Sequence, residues 1–538
     1  MDTKALRQKI LDLAIRGKLV PQNPNDEPAS ILLEKIREQK QQMFKEGKLK
    51  KKDIKNDSII FKGEDNLHYE KFADGSVKCI EDEIPFELPE GWAWCRLQSI
   101  ATIQSSKRVF EKDYVDNGIP FYRSKEIGDL SRDEEIRSQL FITEAHYLEL
   151  KEKYGAPQMG DILITSVGSI GNTWICDGRK FYYKDGNITQ IVANSFFVSE
   201  YVQSFLKTDY FFEQIGKTVS GSAYNALTIE KLKNILLALP PYNEQQQIVN
   251  FLKPYNKLIE TIEVSKTDLL QLLSKVKSKI LDLAIRGQLV LQNPNDEPAS
   301  VLLERIRAEK EDLIKQGKIK RNKKESIIFK GEDNSYYEKI DGEMFCIDEE
   351  IPYDIPDTWT WMRLENCCVK EIRRGKSPKY TENSAVLVFA QKCNTKYNGI
   401  DVSLAQYLDE ATLKRYLSDE YMQDGDVVIN STGTGTLGRV GIYRNTDNTT
   451  GLSIVPDSHV TVIRSFSCIS SHYLYAFMKA HQSELEKKGE GSTNQKELKP
   501  LTLKEMLIAI PPLSAQKRIT NAIGTTFDRL SLIEESLN

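Results

Sequence analysis

The chain has 538 residues, 40% apolar and 28% charged, enough for three or four domain-sized units that each bury a core. Lys and Arg number 74 against 78 Asp and Glu, and the net charge of −4 excludes a uniformly basic, histone-like binder; phosphate contact is left to local patches. No apolar run nears the roughly 18 residues of a membrane span, and the polar start MDTKALRQKI has no signal-peptide pattern. The cysteines (8) form no CxxC and the histidines (5) no metal-ligand spacing, which reads as a reduced, soluble, cytoplasmic protein without a structural metal.

In chain order, Leu6, Ile10, Leu13 and Ile15 mark an N-terminal helix. After AIRG, the stretch NPNDEPAS predicts a second helix, with Asp26 as its cap and Pro28 in its first turn, ending near Gly47. The basic run KLKKKDIK that follows reads as a solvated tail. Trp92 and Trp94 alternate as one face of a strand and pack in a core. The following segment is β-rich with some helix; DILITSV at 161–167 is a short strand after glycine. Pro240 and Pro241 end that segment and launch a helix. From Glu244 to about Ile285 apolar residues recur at spacings of three or four, among them Ile248, Leu252, Leu258, Ile262, Leu269, Leu272 and Ile280. Such a helix spans about 63 Å, with a kink expected at Pro254.

The order then repeats. Residues 9–40 recur as 279–310 with 26 of 32 positions identical at an offset of 270, almost half the chain. Asp296, Pro298, Gly317, Trp359, Trp361, Pro511 and Pro512 stand where Asp26, Pro28, Gly47, Trp92, Trp94, Pro240 and Pro241 stand in the first copy. Between the Trp pair and the Pro-Pro, residues 84–240 and 351–511 have little sequence in common, although DVVINST at 426–432 again reads as a strand and YLYAFMKA at 473–480 as a helix. The stripe Ile519, Ile523, Phe527, Leu530, Ile533 and Leu537 closes the chain, and its end joined to the N-terminal helix imitates the central helix. The chain is therefore circularly two-fold, with two long helices expected to lie antiparallel.

Enzymatic motifs fail on context. Gly433, Gly435 and Gly438 spell GxGxxG after a strand, but RVGIYRN continues as another strand, so no helix N-terminus faces a pyrophosphate. The GK[ST] tripeptides at Gly216 and Gly375 lack the upstream glycine of a phosphate loop, since Phe211 and Lys370 stand there. No adenine-methyltransferase motif or nucleophilic triad is present. More informative are polar loops at matching places in the two middles. Arg123, Ser124 and Lys125 correspond to Gln391, Lys392 and Asn394; SVGSIGN at 166–172, with Ser169 and Asn172, to STGTGTLGR at 431–439, with Thr434, Thr436 and Arg439. SGSAYN, with Ser222 and Asn225, corresponds to GEGSTNQK, with Asn494 and Lys496. Ser105, Ser106, Lys107 and Arg108 in the first middle and Arg373, Arg374 and Lys376 in the second add short basic runs. Small, amide, hydroxyl and cationic side chains suit close approach to phosphates and hydrogen bonding to base edges.

KILDLAIRGKLVPQNPNDEPAS, LPEGWAWCRL, GDILITSVGSIGN and ALPPYNEQQQIV, each with its partner in the other half, resemble the specificity subunit of type I restriction-modification enzymes over essentially the whole chain. The resemblance implies an α+β architecture: two α/β target-recognition domains separated by two antiparallel helices. The implied divisions are a conserved helical region at 1–83, a recognition domain at 84–240, a central region with the spacer helix at 241–350, a second recognition domain at 351–511, and a terminal helix at 512–538 pairing with the central one. It further implies a noncatalytic chain that reads a split, asymmetric DNA target, with helix length as the ruler for the unspecified gap. The expected partners are two modification subunits and restriction subunits, which would carry S-adenosylmethionine, ATP and Mg; none is expected on this chain. Two other readings stay open, a nucleotide-binding enzyme built on the Gly-rich loops and a coiled-coil scaffold without DNA specificity.

Overall fold

A computed structural model describes residues 2–47, 57–136, 140–217, 226–321, 326–396, 399–433, 435–490 and 496–537. The protein divides into two compact units, Met1–Lys266 and Thr267–Asn538. Among the described residues no helix is long and apolar enough to cross a membrane.

In the first unit, helix Thr3–Ile15 is capped by Asp2, whose carboxylate accepts from the Ala5 N–H at 2.9 Å. It is followed by helix Ala29–Lys45. Residues 1–83 are not wholly helical as expected: Ser58–Lys62, His68–Phe72 and Val77–Cys79 form an antiparallel three-stranded sheet. Its turns need left-handed backbone, supplied by Asn66 at φ 65° and Gly75 at φ 89°. Strand Ala93–Arg96 pairs antiparallel with Leu236–Leu239, which brings together the two ends of the divergent segment. Between them lie two small sheets. Thr173–Ile175, Ile162–Thr165, Ile188–Val192 and Thr102–Gln104 form an all-antiparallel one; Tyr182–Tyr183, Ile119–Tyr122, Phe141–Ile142 and Tyr114–Val115 form the other, with one parallel pairing of Tyr182 and Phe121.

The second unit repeats the scheme. Helix Ala299–Lys315 precedes a sheet of Ser326–Lys330, Tyr336–Ile340 and Glu343–Cys346. Thr360–Arg363 pairs with Leu507–Ile510. Val440–Ile442, Val427–Asn430 and Val460–Ile463 form the antiparallel sheet, and Val386–Phe389 pairs in parallel with Ser453–Pro456 in the mixed one. Two segments with almost no common sequence thus share a scaffold, because burial on a pleated face demands β-branched and aromatic residues and not particular ones. Trp92, Trp94, Trp359 and Trp361 are all buried in apolar cores, as their alternation requires.

Tyr242–Ile285 is one 44-residue helix containing Pro254, and Leu513–Leu537 is the terminal helix. Within the first unit the N-terminal segment runs antiparallel to the long helix, since Arg7 meets Glu263 at 3.2 Å and Gln22 meets Glu244 at 3.2 Å. Within the second unit Lys277 meets Glu534 at 2.7 Å and Asp296 meets Ser514 at 2.6 Å, again antiparallel. Asp26 and Asp296 are not caps: Pro28 and Pro298 occupy those positions with no side-chain cap bond. Standing two residues ahead of the cap, each carboxylate turns instead to the helix launched by Pro-Pro. Asp26 accepts from Asn243 at 3.0 Å, and Asp296 takes the Arg518 fork at 2.5 and 3.0 Å.

Candidate nucleic-acid interface

Each recognition segment is organised around one buried serine at the end of its central strand. In the first unit the Ser166 N–H donates to the Asn187 carbonyl at 2.7 Å, its hydroxyl bonds Thr189 Oγ1 at 2.8 Å, and its carbonyl accepts from the Leu227 N–H at 2.9 Å. In the second unit Ser431 repeats all three bonds, to the His459 carbonyl at 2.8 Å, Thr461 Oγ1 at 2.7 Å and the Leu498 N–H at 2.8 Å. An aspartate starts the same strand in each copy. Asp161 is held by Gln190 at 2.6 Å and the Ala193 N–H at 2.8 Å, whereas Asp426 is gripped by both ends of Arg464 at 2.7 Å. The serine therefore ties together the loop after the strand, the turn before the next strand and the backbone at Leu227 or Leu498.

In the first unit Ser124–Leu130 is a helix with Arg123 as its N-cap, so Arg123, Ser124 and Lys125 open a helix instead of forming a plain loop. The Ser124 hydroxyl points to the Asn187 carbonyl at 3.4 Å. Asn172 lies over the same helix, its Nδ2 only 3.2 Å from where a Cβ on Gly128 would sit. Ser169 is exposed at the loop tip, with its carbonyl accepting from the Thr165 hydroxyl. Ser105 and Ser106 run beside the 182–186 turn: the Gly186 N–H donates to Ser105 Oγ at 3.3 Å, and Ser106 Oγ donates to the Tyr183 carbonyl at 2.7 Å. Lys107 lies 5.2 Å over the Tyr154 ring, and Arg108 pairs with Asp185 at 2.9 Å.

In the second unit Gln391, Lys392 and Cys393 form one 3-10 turn. The Gln391 carbonyl accepts from Asn430 Nδ2 at 3.1 Å, and Thr436 Oγ1 lies 3.4 Å from Gln391 Oε1. Arg439 is a strut, donating to the Asn394 carbonyl at 2.8 Å and the Gly435 carbonyl at 3.2 Å. Asn394 is displaced from the expected base-reading role. It is 1% exposed, with Nδ2 spent on Asn430 Oδ1 at 3.2 Å and the Arg439 carbonyl at 3.0 Å, because the turn folds its side chain under the loop. Gly433, Gly435 and Gly438 all have positive φ, and the loop leads into strand Val440–Ile442, not a helix. Ser222, Asn225, Thr434 and Asn494 lie outside the described residues.

The cations divide into two groups. Arg123 pairs with Glu126 at 2.9 Å, Arg373 and Lys376 with Glu420 at 2.9 and 2.6 Å, and Arg374 with Glu497 at 2.7 Å. Burial would raise the Glu420 carboxyl, but bonds from Lys376 and the Leu417 N–H, with the Lys376 and Arg373 charges, hold it below its ordinary value. A phosphate at these four cations would have to displace a carboxylate. Lys125, Lys392 and Lys496 are exposed and have no ion pair among the described residues. The turns 184–187 and 457–459, which the sequence reading passed over, sit against the flagged loops. The only local signal for them was Gly and Asn, or Asp, Ser and His, between two strand-like runs.

The model of the type I restriction modification DNA specificity domain matches this chain twice, at residues 89–271 and 356–538. The chain belongs to this specificity family. The two matches coincide with the two copies, each running from just before the buried tryptophans through a recognition segment into a helix. The chain is 26% identical to the type I restriction enzyme EcoEI specificity subunit of Escherichia coli, over 97% of this chain and 89% of that one. It is 30% identical to the EcoAI specificity subunit of Escherichia coli, over 67% of this chain and 62% of that one. A chain solved in a study of assembly and conformational transition of the type I R-M system superposes with a TM-score of 0.53 at 17% identity, covering 84% of this chain and 94% of that chain. The specificity-family fold is thus built here from two serine-centred loop clusters, each on an antiparallel sheet.

Proposed function

We propose that this chain is the DNA-reading subunit of a type I restriction-modification complex, each unit reading one half of a bipartite, asymmetric target. The observation that carries the reading is the shared frame with unshared display. Ser166 and Ser431 bind matching stretches of backbone, yet the side chains around them differ, Arg123 and Ser124 against Ala390 and Gln391 and Ser169 against Thr436, with Lys125 and Lys392 in common. A scaffold that bound only protein through its repeated surfaces would have no use for two different loop sets on one frame. Lys125, Lys392 and Lys496 supply phosphate contact, which positions the loops without specifying sequence.

In this reading the chain is noncatalytic. Adenine methylation and restriction belong to modification and restriction partner subunits, which carry S-adenosylmethionine, ATP and Mg, while the chain itself selects the site in the cytoplasm. Exchange of residues 84–240 for the matching segment of another specificity subunit tests it, with methylated adenines mapped across a genome. One half of the methylated sequence should change and the other stay. An unchanged sequence would overturn the reading. Arg123→Ala and Lys392→Ala refine it, since both leaving DNA affinity and sequence preference unaltered would remove those residues from the interface.

A further inference from the structure

We infer that Asn187 and His459, at equivalent positions in the two units, are specificity-determining residues that read base edges in different halves of the target. The inference rests on the DNA-reading function proposed above and names where in each unit the reading is done. In each copy the residue's backbone carbonyl does the structural work by accepting from the Ser166 or Ser431 N–H. The side chain has no part in that bond and is left free to do something else.

Asn187 is half-exposed, and its amide has no hydrogen-bond partner among the described residues. Its carbonyl is the meeting point of two flagged loops, 3.4 Å from Ser124 Oγ at the start of the 124–130 helix and 2.7 Å from the Ser166 N–H at the start of the second loop. Ser124 itself stands between ion-paired Arg123 and exposed Lys125 in the chain. His459 is exposed, and its Nδ1 lies 2.6 Å from Thr432 Oγ1, which fixes the ring against the loop that begins at Ser431. With Nδ1 so engaged, Nε2 has no protein partner among the described residues and is the outward atom. The preceding residue, Ser458, touches Ser377 Oγ at 3.3 Å, beside the basic run Arg373, Arg374 and Lys376.

A polar side chain held at a loop junction by its own backbone, with its recognition atoms unspent, is preorganised for an external partner. The two residues also differ in what they offer. An amide presents a donor and an acceptor side by side, the pattern that fits an adenine edge in the major groove, whereas an imidazole presents one outward nitrogen. That difference, on identical backbone bonds, is expected of positions that diversify with the target and not of positions that hold the fold.

The test uses the full chain assembled with its modification subunits, with Asn187→Ala and His459→Ala made separately and methylated adenines mapped on a randomised-target library. Each variant keeps the structural carbonyl, and its melting temperature should match the parent. Asn187→Ala should lower discrimination by about tenfold at one or two positions of one half-site only, and His459→Ala should do so in the other half only. Parental preference at every position in both variants overturns the inference, as does a uniform loss of methylation with unchanged preference, which marks a purely structural role. A Lys125 or Lys392 variant that weakens DNA binding beside unchanged Asn187 and His459 variants would leave the DNA-reading function standing. An inert exchange of residues 84–240 would remove both.

Discussion

Arg96 forks onto Glu70, with Nη2 2.7 Å from Oε2 and Nε 3.1 Å from Oε1, and the two side chains are only 10% and 4% exposed. Arg363 repeats the fork on Glu338 at 2.6 Å. Each arginine also donates to a backbone carbonyl just before the strand that closes its recognition segment, Asn234 at 3.0 Å and Glu505 at 2.8 Å. The pair therefore fastens the three-stranded sheet to the paired strands on which the segment is mounted. Arg96 also meets the half-exposed Glu83 at 2.8 Å, so removing Glu70 leaves the buried arginine with a weaker carboxylate partner, not with none. With Glu83 still paired to Arg96, Glu70→Ala should destabilise the first unit by about 1.5–3 kcal/mol, the loss of a charge-assisted hydrogen-bonded fork, whereas an apolar pair at positions 70 and 96 should recover much of the loss. Urea titration of both variants checks this, and a single-variant cost below about 1 kcal/mol, the range of an exposed pair, would show that the fork is solvent-screened.

The second fork carries a pH signature. Burial pushes the Glu338 carboxyl up, but hydrogen bonds from Arg363 and Ser326, with the Arg363 charge, hold it below its ordinary value. A carboxylate with a lowered folded pKa stabilises fully above its unfolded value of about 4.3 and loses that contribution as pH falls through the folded value. Glu338→Gln should thus be less stable than the parent at pH 7, and the gap should close as pH falls below about 4. Melting temperatures across that range decide it; a pH-independent gap would point to packing.

Glu244 behaves oppositely. It is 2% exposed and accepts from Trp92 Nε1 at 3.0 Å and Gln22 Nε2 at 3.2 Å, and burial raises its pKa despite both bonds. A carboxyl raised in the folded state favours folding at low pH and loses that contribution as pH rises through the folded value. Glu244→Gln keeps an acceptor for Trp92 and removes the buried charge, so it should raise the melting temperature at pH 7–8 and lose that advantage in acid. The second copy already lacks this carboxylate: Ala515 stands at the matching place, and Trp359 donates to Gln292 Oε1 at 3.1 Å.

Between helix Ala29–Lys45 and the 58–72 hairpin lies a cavity of about 470 Å³, lined in part by Leu33, Ile60, Phe72, Trp94, Cys95 and Ser99. At the matching place in the second copy the space shrinks to about 20 Å³, with Met362 and Asn366 where Cys95 and Ser99 stand. Asn366 also bonds Ser326 Oγ at 3.1 Å, whereas Ser99 Oγ is buried without a partner among the described residues. Cys95→Met with Ser99→Asn should therefore stabilise the first unit by about 1 kcal/mol through restored contacts and a satisfied hydroxyl site. A lower melting temperature for the double variant would mean that the first copy cannot accept the second copy's packing.

Periodicity and chemistry along the chain determined the duplication, the helices at both termini and at 242–285, the strands after Gly160 and Gly425, and the buried Trp pairs. These depend on contacts within a few residues, or on a face whose period can be read directly. The three-stranded sheets hidden inside the helical flanks, and Asp296 reaching Arg518 across 222 positions instead of capping its own helix, could not be read that way. The interface divides likewise. The polar stretches that follow the strands were legible, although Arg123, Ser124 and Lys125 open a helix; tertiary structure decided that Glu420 neutralises Arg373 and Lys376, that Asn394 is buried, and that Asn187 and His459 stand between the loops. Each of those outcomes depends on partners 21 to 63 residues away, whose proximity is set by strand pairing and not by any local pattern.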